Sequence, residues 1–245
     1  MAQDYAKKIK ALRAKANHKN TPPEEAQALL AKVAELMMRH SIDEAALREE
    51  RGDAPEEVTV ATLDLPKEHG TVLMDAVYPM ILAMGGEAIV IKDVFTMVGT
   101  PSLLENLTTL FISLNNQMVT AANKAGDVHE AKLRKEHPRW SDDLINDKVD
   151  QFVWDYVRGY GKGVADKIRA RRGEVINEAP GNALVLQTEE ERIKAAFDLM
   201  YPHRKSMRGE ALRNFDAIEA GRRAGRNADI GDTRVANNAT RAIGG

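Results

Sequence analysis

Two groups of arginines stand out as residues whose type and spacing suit a definite chemistry: Arg169, Arg171 and Arg172, and Arg222, Arg223 and Arg226. A guanidinium is always charged and forks onto phosphate oxygens, so each cluster can neutralise phosphates and place a nucleic-acid backbone. The competing reading is that cations at the C-terminal ends of helices offset the helix dipole. Trp154, Tyr156 and Tyr160, with Trp140 and Phe152, gather in the same region. They form either a partner-binding surface or part of the core. Five Phe, five Tyr and two Trp leave few platforms on which bases could stack.

The string Gly159-Tyr160-Gly161-Lys162-Gly163 invites comparison with a phosphate-binding loop. Such a loop follows a strand and places Lys then Ser or Thr at the start of a helix. Here Lys162 is followed by glycine and the preceding residues read as helix, so close helix packing or a helix interruption is the expectation. The six histidines, at 18, 40, 69, 129, 137 and 203, include no pair at the i, i+4 spacing of a helical zinc site. His40 falls where a helix should end, which suggests a structural role against the dipole. Zero cysteines remove disulfides, thiolate metal sites and cysteine nucleophiles. No serine elbow or Ser-His-Asp order is present, so neither enzyme activity nor a cofactor or metal is indicated.

These residues need elements to hold them. Ile9, Leu12 and Ala16 have helical spacing, and Thr21-Pro22-Pro23-Glu24 reads as the capped start of a second helix with Ala26, Leu29, Leu30, Val33, Leu36 and Met37 on one face. Together they make a helical hairpin, with Ser41 opening a short third helix. Residues 58–63 read as a strand, 72–84 as a helix containing Pro79, and 88–91 with 94–98 as a β-hairpin turning at Lys92-Asp93. Thr100-Pro101 starts a strongly apolar helix, residues 124–140 read as an exposed connection, and a long helix occupies 141–172. Residues 183–186 read as a closing strand, Thr188 and Glu191 as the capping box of another helix, and 209–223 as a last helix before a loose tail.

The expected fold is α+β: an N-terminal helical hairpin, then a ferredoxin-like split β-α-β-β-α-(α)-β core, then C-terminal helices. The corresponding units are residues 1–52, residues 57–203 with the inserted helix, and residues 204–245. Charge is segregated along this order. Residues 52–131 carry 3 basic against 11 acidic side chains, 132–172 carry 11 against 7, and 204–245 carry 9 against 5, within a net charge of −2. That pattern suits a protein with separate contact surfaces. No apolar run reaches bilayer length and no signal-peptide stretch follows the first lysines, which points to the cytoplasm with no membrane partner.

The segments K-I-K-A-L-R-A-K-A and P-P-E-E-A-Q-A-L-L-A-K-V-A-E-L-M-M-R-H-S-I-D resemble the opening hairpin of an uncharacterised family widespread in Streptomyces and its phages. V-F-T-M-V-G-T-P-S-L-L-E-N-L-T-T-L-F-I-S-L-N-N-Q, F-D-L-M-Y-P and A-G-R-R-A-G-R-N-A-D-I extend the resemblance over most of the chain. This sequence departs from the usual form at Arg13, where leucine is common. Length and layout are also similar to the recombination directionality factors that actinophages supply to large serine integrases. That resemblance implies a non-enzymatic phage protein in the host cytoplasm that binds an integrase on DNA and favours excision. The alternatives are a direct DNA- or RNA-binding protein using the arginine clusters, and a hydrolase whose metal site forms only on folding.

Overall fold

The computed structural model describes residues 2–63, 70–91, 94–178, 182–205 and 214–231. Helices α1 (Ala2–Ala16) and α2 (Pro23–Arg51) form the hairpin, followed by β1 (Thr59–Leu63), α3 (Gly70–Ala83), β2 (Glu87–Ile91) and β3 (Val94–Gly99). Four more helices follow: α4 (Pro101–Glu136), α5 (Asp142–Glu178), α6 (Asn182–Met200) and α7 (Phe215–Arg226). The Lys92-Asp93 turn, the start of the last helix as expected from 209, and the tail from 232 lie outside the described residues. Among those described, no helix is long and apolar enough to cross a membrane.

The strands form one antiparallel sheet in the order β1-β3-β2, with Ala61 opposite Met97 and Met97 opposite Ala88. The alternation expected of a strand buried on at least one side puts Ala61, Leu63, Phe95, Met97, Ala88 and Val90 in the main core with α3 and α4. The opposite face carries Val98 and Thr96, also buried, because α6 lies against β2 and β3. Gly85, at φ +89°, ends α3, where the Gly86 amide donates to the Ile81 carbonyl. Pro79 sits inside α3 without ending it.

Five expectations are corrected. Residues 183–186 are not a strand but the first turn of α6, and the three strands have no fourth partner among the described residues. A four-residue apolar run has no period that separates strand from helix. Leu186, Ile193 and Phe197 turn inward at helical spacing while Leu184 stays exposed, and the Thr188 hydroxyl donates to the Leu184 carbonyl within the helix instead of capping its start. Residues 124–136 are not a connection but the second half of α4: its inner face packs on α5, with His129 stacked on Phe152 at 4.1 Å, and its polar residues are the solvated side. Ser41 does not start a new helix; its hydroxyl donates to the Met37 carbonyl inside an unbroken α2. Thr21 does not cap α2 either, since its hydroxyl donates to the Lys15 carbonyl and closes the hairpin turn.

The Thr100-Pro101 start holds as expected: the Thr100 side chain accepts from the Leu103 amide, with proline in the first turn of α4. The N-terminal hairpin is joined to α4 by polar contacts as well as apolar ones. The Ser113 hydroxyl donates to the Gln27 carbonyl at 3.0 Å. The buried Asn106 amide, in its favourable orientation, bridges the Ala34 carbonyl and the Met38 amide.

Candidate functional site

The glycine string lies within α5 and is a packing device. A Cβ on Gly159 would overlap the Ile218 carbonyl, one on Gly163 the Arg222 carbonyl, and one on Gly161 the Ala76 carbonyl of α3. The relation is reciprocal: a Cβ on Gly221 or Gly225 would strike the carbonyls of Tyr156 and Tyr160. Two small-xxx-small stripes therefore face each other with α5 and α7 running in the same direction, and the backbones approach closer than side chains of any size permit. Beyond α7 the chain is pinned again. The Gln117 amide group donates to the Asp229 carbonyl and accepts from the Asp229 amide, and Lys167 donates to the Ala228 carbonyl at 2.6 Å.

A buried ionic network supports the same contact. Arg158 donates from Nε to Asp75 Oδ2 at 2.8 Å and from Nη1 to Asp155 Oδ1 at 3.2 Å. The other Asp155 oxygen accepts from the backbone amide of Asn214, the N-cap of α7. Arg158 and Asp155 are 4% and 2% exposed, so each is tolerable only because the other is present. Neither residue has a sequence signal beyond being charged within an apolar helix stripe.

The six arginines part company. Arg169, Arg171 and Arg172 sit inside α5, which runs on to Glu178, so they are not at a helix end as expected. Arg171 pairs with Glu35 of α2 and Glu174, and Arg172 pairs with Glu190 of α6 and donates to the Ala83 carbonyl. Both are used in joining helices. Arg222 and Arg226, one turn apart on α7, converge with Arg169 on Asp166. Partial burial opposes ionisation of Asp166, but hydrogen bonds from Arg222 and Arg226 hold its carboxyl below the ordinary aspartate value. Arg223 is exposed. Of the aromatic candidates, Tyr156 and Tyr160 are core residues, and burial pushes both phenols up. Trp154 is half-buried against the same core.

A groove that the residue spacing did not reveal opens between α1, α2 and the start of α4. It has a volume of about 490 Å³ and is lined by Ala6, Ile9, Lys10, Arg13, Met37 and His40 of the hairpin, with Arg48, Glu56, Ser102 and Glu105. Such a volume is of ligand-pocket size. His40 lies in the middle of α2 rather than at a helix end, meeting the Tyr5 ring edge-on at 5.8 Å. Arg13 donates to Glu105 at 2.6 Å and to the Thr109 hydroxyl at 3.1 Å, tying α1 to α4.

At the far wall, burial works against the Glu56 carboxylate, yet the Ser102 amide and the Arg48 guanidinium lower its pKa. Nearby Glu189 is pushed up, chiefly by burial, against a hydrogen bond to Thr100. Glu35 is also lowered, its burial outweighed by Lys32 and Arg39. Among the described residues no group of three or more His, Cys, Asp or Glu is arranged to hold a metal.

Comparison with known proteins locates one similarity on this structure. Residues 5–44 match the model of a family described as a protein of unknown function (DUF2786). No curated protein and no solved structure matches the chain. The matched segment comprises most of α1 and α2, so the family likeness falls on the two helices that supply Ile9, Arg13, Met37 and His40 to the groove.

Proposed function

We propose that this chain is a non-enzymatic, phage-type accessory factor that acts in a bacterial host's cytoplasm by binding another protein, with a DNA-bound serine integrase as the partner and excision as the favoured outcome. The observation that supports this reading best is the hairpin groove. Ala6, Ile9 and Met37 give it an apolar floor, and exposed Lys10 stands at its rim. A partner segment carrying an apolar side chain beside a carboxylate complements both features. The integrase assignment rests on the resemblance of the sequence, in length and order of elements, to directionality factors.

The test is a binding and recombination assay with the cognate integrase on its attachment-site DNA. Ala6 is exposed, so Ala6→Trp fills the groove without disturbing the core. The wild-type chain is expected to bind and to shift the reaction toward excision, and Ala6→Trp to lose both while melting at the wild-type temperature. Binding that survives Ala6→Trp rejects the groove. No binding by the wild-type chain rejects the partner.

A further inference from the structure

We propose that the outer face of the α5–α7 pair is a docking surface for the phosphodiester backbone of a single-stranded nucleic acid. Asp166 organises its arginines, and Phe215 is a stacking platform at one end. The proposal goes beyond the protein-binding reading and does not depend on the groove.

Three observations carry it. The first is charge. Asp166 Oδ2 receives Arg222 Nη2 at 2.8 Å and Arg226 Nη2 at 3.1 Å, while Asp166 Oδ1 lies 3.5 Å from Arg169 Nη1. One carboxylate thus holds three guanidiniums in a fixed array, and each retains N–H donors that Asp166 does not use. Exposed Lys162 lies one turn before Asp166 on the same face of α5, and exposed Arg223 adjoins the array on α7. Five cations therefore stand against Asp166, Glu219 and, next to Phe215, Asp216.

The second is an aromatic ring left in water beside them. Phe215 is 74% exposed, and it shares a helical stripe with Glu219, Arg222 and Arg226 at i, i+4, i+7 and i+11. From Phe215 to Arg226 the helix rises about 16 Å, long enough to meet more than one phosphate of an extended strand. Cations in a row with an exposed ring at the end match how unpaired strands are held: phosphates on guanidiniums and a base face on an aromatic. An acidic protein surface would use the cations and leave Phe215 without a role.

The third is rigidity. Gly159, Gly163, Gly221 and Gly225 bring the two backbones into contact, so the α5 and α7 cations form one preorganised patch instead of two independent side-chain sets. Arg171 and Arg172 are excluded from it, because they are spent on Glu35, Glu174 and Glu190.

The experiment is fluorescence anisotropy of the full chain against end-labelled DNA oligonucleotides, single-stranded and duplex, over a salt series. The wild-type chain is expected to bind the single strand more tightly than the duplex at low salt. The combined change Lys162→Ala and Arg223→Ala should weaken binding about tenfold and reduce the salt slope by about 1 to 2. Phe215→Ala should remove the single-strand preference. Lys148→Ala, a half-exposed cation near the other end of α5, should change nothing, and all variants should melt close to the wild type. The proposal is overturned if the wild-type chain does not bind at low salt, if the double variant binds like the wild type, or if Phe215→Ala leaves single-strand binding unchanged.

Discussion

The α5–α7 pair and the α1–α2 hairpin show two ways of holding a helix. In the first, glycines on both partners allow backbone contact, and the buried Arg158–Asp155–Asn214 network fixes where α7 begins. In the second, larger side chains separate the helices and half-exposed ion pairs tie α1 down: Lys15 to Glu25 near the turn, and Arg13 to Glu105 across to α4. A groove remains at the mouth. Close contact produces a frame that does not yield, whereas side-chain spacing leaves room for another molecule. The difference lies in residue volume at the contact, since both regions are comparably charged.

Breaking the clasp should cost most. Asp155→Ala strips buried Arg158 of one partner and frees the Asn214 amide, with an expected loss of about 4 kcal/mol in urea unfolding. Gly163→Ala places a methyl against the Arg222 carbonyl, which neither helix can avoid by a rotamer change. It should cost about 2 to 3 kcal/mol. In the hairpin, Arg13→Leu removes a pair whose side chains are 32% and 57% exposed. The expected change is within about 1 kcal/mol. A loss as large as that of Gly163→Ala would erase the contrast.

The smallest effects are those of pH, and they have opposite signs. Glu35 and Glu56 have lowered folded-state pKa values, so their contribution is present above the ordinary glutamate value and is lost as pH falls through the folded value. Glu189 is raised, so it weakens the fold as pH rises from the ordinary value through its own. Glu189→Gln should therefore raise Tm slightly at neutral pH, with the gain disappearing in acid. A gain that persists at low pH would mean that charge is not the cause.

Much of the frame was legible in the residues. The hairpin helices, β1, the β2–β3 ladder and the Thr100 cap follow from apolar period and cap chemistry. So does the preference for packing over nucleotide binding at Gly159–Gly163, although its partner, the Gly221/Gly225 stripe, needs the tertiary fold. The second half of α4 was hidden because a helix that buries one narrow side reads as polar overall. Residues 183–186 were misleading because four apolar residues have no period. The groove was invisible for a different reason: Ile9, Met37 and Ser102 come from three separate helices and share no spacing. The arginines show the limit most plainly, since Arg169 and Arg171, two residues apart, have opposite fates, decided by Asp166 one turn earlier in α5 and by Glu35 on α2.

The contrast between the two regions is read most directly by native-state hydrogen exchange along the chain. That contrast requires amides in the middle of α7 to exchange as slowly as those facing them in α5, through global unfolding only, while α1 exchanges through local opening at a much lower free energy. An α7 that exchanges as fast as α1 would contradict it, because a helix clasped by backbone contact has no independent way to open.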